Sequence, residues 1–168
     1  MKRTRKIAAG LGVLMLSLLA VAGHVPVSTA QVGSTHIEVF AVEGPFEKDI
    51  DVATTGFPTA GDYAVESQPL LDPTDGSRVG RSLSHVQIVR PVSKGQDFEI
   101  VLNSTLRLSD GDIVIDGGLR FSDLFGGGTI AVVGGTGTYT GARGTATSTG
   151  GKVAGADGFT LSIDITTD

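Results

Sequence analysis

Apolar residues in this chain recur at every second position, in short runs, and rarely at the spacing of three and four that a helix needs. Phe98, Ile100 and Leu102 alternate with Glu99, Val101 and Asn103. Phe159, Leu161, Ile163 and Ile165 alternate with Thr160, Ser162, Asp164 and Thr166. Ile37, Val39 and Ala41 alternate with Glu38, Phe40 and Val42. Successive strand side chains point to opposite faces of a sheet, so each run specifies a strand with one buried face. The first of these runs extends over 97–108, and further strands are expected over 61–71, 78–90, 113–121, 129–133 and 143–149.

The punctuation agrees. Asp72-Pro73-Thr74-Asp75-Gly76 has turn chemistry, with proline fixing φ and glycine accepting a left-handed backbone. Ser109-Asp110-Gly111-Asp112 suits a tight hairpin, and Gly126-Gly127-Gly128 another turn. Gly117-Gly118 reads as a bend or bulge. Residues 43–58, with Pro45, Gly56 and Pro58, read as a long loop or edge segment, and 150–158 as a loop. Eight such strands imply an all-β domain, either a single eight-stranded antiparallel β-barrel or a two-sheet sandwich. The barrel is the expected form, because closure removes exposed edges. The chain has no cysteine, so no disulfide staples it.

The first residues are of another kind. Lys2, Arg3, Arg5 and Lys6 precede the apolar run 7–22, and Ser28-Thr29-Ala30 places small residues at −3 and −1 of a cleavage point. This reads as a signal peptide over 1–30, with Ala22 an alternative cleavage position inside the apolar run. The expected protein is therefore secreted, with one domain over 31–168. That domain carries nine basic and eighteen acidic residues, net −9, which argues against nucleic acid and anionic membrane surfaces as partners. No membrane association is expected after cleavage.

The densest feature is 132–144, VVGGTGTYTGARG, with five glycines among its last eleven residues. It resembles the signature corner of the dirigent and allene oxide cyclase family. The stretch 36–43, ending in an acidic residue, is similar to that family's first strand. Gly61-Asp62 and Leu71-Asp72 resemble its second strand and exit, and Ser77-Arg78-Val79-Gly80-Arg81 the entry to its third. The chain departs from plant members in its lack of cysteine, its few aromatics, and a tyrosine, Tyr139, where the motif commonly has phenylalanine. The resemblance implies an eight-stranded barrel, commonly a homotrimer, whose lumen takes a small hydrophobic or phenolic molecule. It also implies cyclisation or stereoselective coupling of that molecule without a cofactor, as an isomerase or cyclase or as a dirigent-type auxiliary protein.

The candidate site residues follow. In the resembling family the arginine matching Arg143 lines the pocket, where a guanidinium would hold an anionic oxygen. Glu43, which matches the acidic end of the first strand, and Glu38 are candidates for proton transfer, since a carboxyl in an apolar barrel has a raised pKa. Asp62 is a weaker candidate of the same kind. Tyr139, Tyr63, His85 and Asn103 are candidate ligand contacts. No metal site is expected: 31–168 has only His36 and His85 and no cysteine. Gly135-Thr136-Gly137 lacks the Lys-Ser/Thr of a phosphate loop. The other reading is a non-catalytic module that binds a ligand or a glycan.

Overall fold

In a computed structural model, the residues described are 33–44, 48–50, 58–92 and 97–167. The leader and both of its cleavage positions lie outside them. Nine strands form: β1 Gly33–Val42, β2 Lys48–Ile50, β3 Tyr63–Leu71, β4 Arg78–Val92, β5 Asp97–Leu108, β6 Gly111–Arg120, β7 Gly127–Gly135, β8 Arg143–Val153 and β9 Ala156–Thr167. Every pairing is antiparallel, in the order β1-β9-β8-β7-β6-β5-β4-β3-β2. A further pairing of β1 with β3 closes eight of them into a barrel, and β2 attaches to the far end of β3. The barrel, not the sandwich, is the fold. One helical turn, α1 Asp123–Gly126, links β6 to β7, and left-handed Gly127 (φ 94°) ends it.

The alternation seen in the sequence is the inside–outside alternation of the wall. Val39, Ile100, Leu106, Ile113, Ile130, Ile163 and Ile165 face inward and are buried. Fully burying side chains of this size stabilises by about 1.5–3 kcal/mol each. The register sets which side is in: Ile163 pairs Ala146 on one flank and Ile37 on the other.

Two local expectations change. The segment 150–158 is hairpin, not loop. β8 and β9 stay paired to Val153↔Ala156, around the two-residue turn Ala154-Gly155. Both turn residues have positive φ (50° and 84°), as a type I′ turn requires. Glycine lets the strands pass closely here: a Cβ on Gly158 would overlap the Ala41 carbonyl. Gly117 and Gly118 sit in regular register opposite Leu102 and Val101. The irregularity lies beside them, where Val114↔Gly134 is followed by Ile115↔Val132 and Val133 is the extra residue. Within 43–58, the described part includes β2.

Candidate functional site

The glycine corner joins β7 to β8 through a single 3-10 turn, Gly137–Tyr139. Many of its polar groups bond within the structure. Tyr139 is buried, and its hydroxyl donates to both carboxylate oxygens of Asp110 at 3.0 Å. Burial and that carboxylate push the phenol up to about 12. Asp112 and Thr136 exchange bonds, N–H to Oγ1 at 3.0 Å and Thr136 N–H to the Asp112 carbonyl at 2.8 Å. Gly137 has φ 59°, and a Cβ on it would overlap the Asp110 carbonyl. The corner is thus locked onto the β5–β6 hairpin.

Arg143 follows the corner on the outer wall. It is exposed, and its Nη1 donates to the carbonyl of Ala142 at 2.7 Å. Its neighbours are Ser34, Asp164 and Thr166, in a shallow surface depression. The expected lumen-facing arginine is therefore not in the lumen, because β8 turns Ala146 and Ser148 inward and the alternate positions outward.

The interior holds a small cavity, about 80 Å³ in volume and partly open to solvent. It lies toward the other end of the barrel from Arg143. The register shows this: Ser34 and Arg143 both pair Thr166, whereas Val42 and Gly151 both pair Gly158, next to Glu43. One side of the cavity is apolar, with Leu106, Ile115, Ile130, Phe159 and Leu161, and Leu124 of α1. Ser148 fixes α1 by donating to the Leu124 carbonyl at 2.7 Å.

The opposite side is polar and built from three adjacent strands. β3 supplies Glu66 and Gln68, β4 Ser82 and Ser84, and β5 Ser104. Gln68 pairs Ser82, Glu66 pairs Ser84, and Ser84 pairs Ser104, so the five form one patch. Gln68 Nε2 donates to Glu66 Oε2, and the hydroxyls of Ser84 and Ser104 bond at 2.8 Å. The Ser82 hydroxyl is buried and has no partner. Burial raises the Glu66 pKa; the Gln68 amide opposes the rise, and the Glu43 carboxylate adds to it.

Of the residues selected from the sequence, only Glu43 lines this cavity. Glu38 is exposed on the outer wall, 3.6 Å from His36, which also bonds Asp164. Tyr63 and His85 pack against each other on the outer wall with ring centroids 5.5 Å apart. Asn103 faces outward and donates to Asp116 at 3.3 Å. Asp62 accepts from the backbone N–H of Thr59 at 2.7 Å, holding the turn before β3. Tyr139 belongs to the corner. Glu66, Gln68, Ser82, Ser84 and Ser104 were not selected. Their signal is a polar residue in the inward phase of a strand, such as Ser104 between Leu102 and Leu106. Among the described residues, no three His, Asp or Glu side chains stand together as a metal site would need.

No protein-family model and no curated protein sequence matches the chain. Solved structures do. A pyocyanin demethylase superposes with a TM-score of 0.62 at 20% identity, over 77% of this chain and 99% of its own. A pterocarpan synthase dirigent protein gives 0.62 at 22%, over 81% and 89%. The Diels-Alderase AbmU from Streptomyces koyangensis gives 0.60 at 10%, over 83% and 71%. The chain shares the barrel fold of the dirigent protein, the Diels-Alderase and the demethylase. At such identities the likeness is one of fold.

Proposed function

We propose that this is a secreted barrel whose interior binds a small hydrophobic molecule and directs its cyclisation or stereoselective coupling without a cofactor. The observation that carries the reading is the two-sided cavity. An apolar wall excludes water and fixes the shape of a flexible molecule, while a few polar groups set its orientation. Holding reacting atoms in one conformer accelerates bond formation without a chemical group from the protein. The solved structures sharing this fold include a dirigent protein and a Diels-Alderase, whose names describe such reactions. Secretion rests on the leader, and a homotrimer on the family resemblance.

A second reading is supported by the outward position of Arg143, which removes the expected anion anchor. In that reading the barrel binds its molecule and releases it unchanged. Native mass spectrometry of the protein secreted by its own cells tests the common part. The expected result is a chain beginning at Gln31 with a non-covalent small molecule that is lost on denaturation. Leu161→Trp, which fills the cavity, should lose that molecule while keeping the circular dichroism of the barrel. A barrel that carries nothing and takes up nothing from a lipophilic extract of the same culture would sink both readings. Conversion of the recovered molecule on re-addition would separate the catalyst from the carrier.

A further inference from the structure

The charge in the cavity is one-sided. Glu66 and Glu43 line it, and no lysine, arginine or histidine does so among the described residues. An anion entering this space would lose its hydration and meet like charge with no counter-charge. The chemistry expected of a lumen arginine, capture of an anionic oxygen, has no group to perform it among the described residues of the cavity.

Hydrogen bonding is uneven as well. Ser84 and Ser104 satisfy each other, and Gln68 uses Oε2 of Glu66. Ser82, 2% exposed, is left with an unpaired hydroxyl on the cavity wall. Native interiors rarely strand such a group unless something else meets it. Ser82 lies across the strand pair from Gln68, and Glu66 is two residues from Gln68 on the same face of β3. The hydroxyl and the carboxyl therefore belong to one patch.

We propose that the cavity takes an uncharged, carbonyl-bearing hydrophobic molecule, whose oxygen accepts hydrogen bonds from the Ser82 hydroxyl and from the acid form of Glu66. The inference rests on reading the cavity as a ligand site. A carbonyl oxygen offers lone pairs and no proton, so two donors converge on it without conflict. The surroundings favour the acid form of Glu66. Burial raises its pKa, the Gln68 amide opposes the rise and the Glu43 carboxylate adds to it; among the described residues of the cavity wall Glu43 is the one other titratable group, and β4 and β5 present serines and apolar side chains. A bound carbonyl favours that form further.

The chain contains no tryptophan, so naphthalene fluorescence can be followed against a low protein background. The full-length secreted protein is titrated at about pH 5.5 with 2-acetylnaphthalene, 2-ethylnaphthalene, 2-naphthoate and 2-naphthylmethylamine, where the acid is ionised and the amine protonated. The ketone is expected to bind about tenfold tighter than the other three. Ser82→Ala should remove about that factor for the ketone and leave ethylnaphthalene unchanged. Ketone affinity in the wild type should fall as pH rises through the raised Glu66 pKa, whereas Glu66→Gln, which keeps a donor at every pH, should show a flat profile. Naphthoate or the amine binding as tightly as the ketone overturns the proposal but leaves the cavity as a ligand site. So does a ketone affinity untouched by Ser82→Ala. If none of the four binds, the ligand site itself is refuted. A Ser82→Ala chain that fails to fold also counts against the proposal, because removing a stranded hydroxyl should stabilise the empty barrel.

Discussion

The corner between β7 and β8 and the polar wall of β3–β5 are opposites in their hydrogen bonding. At the corner the Tyr139 and Thr136 hydroxyls and the amides of Thr136, Thr138, Tyr139, Thr140 and Ala142 find partners within the chain. On the polar wall a buried hydroxyl has none, and a carboxyl sits where burial disfavours its charge. Satisfied polar groups specify a backbone shape; stranded ones mark a place where the protein is incomplete by itself. The contrast assigns architecture to the first region and recognition to the second.

The largest expected effect breaks the corner. Gly137→Ala puts a Cβ against the Asp110 carbonyl at a backbone angle only glycine adopts freely. A loss of about 3 kcal/mol or more is expected, read as denaturant midpoint or as failure to express folded protein. Tyr139→Phe keeps the ring and removes the hydroxyl, and with it the bonds to Asp110. It should cost about 1–2 kcal/mol in urea unfolding, with cavity ligand binding unchanged. Equal losses of stability and of binding would merge the two regions.

Glu66→Gln tests the wall through pH. The native carboxyl has a raised pKa, so the folded state keeps a proton that the unfolded chain releases. Wild-type stability therefore falls as pH rises from about 4.5 toward the raised value. The variant should melt higher than wild type at neutral pH, and the advantage should vanish below about pH 4. An advantage independent of pH would mean the wall is not burying charge. The smallest effect is at Arg143→Ala. An exposed side chain bonded only to a neighbouring carbonyl should change stability by less than about 0.5 kcal/mol, with no change in cavity affinity. Abolished binding would restore that arginine to the site.

The strands were legible because alternation is a local signal. β5 was read with its observed ends, and the other seven barrel strands within a few residues of theirs. The corner was legible because its glycines are enforced by close backbone contacts. The cavity was not, and β4 shows why. Its two phases are Arg81, Leu83, His85, Gln87 and Ser82, Ser84, Val86, Ile88. Each mixes polar with apolar, and the outward set includes exposed Leu83. Only the register with β5, Ser82↔Leu106 and Val86↔Leu102, decides which phase is inside. That choice is made by residues about twenty positions away, so no window on β4 alone contains it. Attention to large reactive side chains also passed over serines, whose hydroxyls matter here because they are enclosed.

The ring is closed unevenly. β1 and β9 pair from Gly33↔Thr167 to Val42↔Gly158, but β1 meets β3 only at Phe40↔Leu71 and Ala41↔Leu70. Ala41, Glu66 and Gln68, all on the cavity wall, stand beside that junction. A ladder this short opens at a lower free energy than its neighbours. The barrel therefore has a seam. Hydrogen exchange should find the amides at 40–41 and 70–71 turning over well before those of β8 and β9, and an enclosed guest should slow them. The seam, and not the long β8–β9 ladder, is then where the wall gives way first.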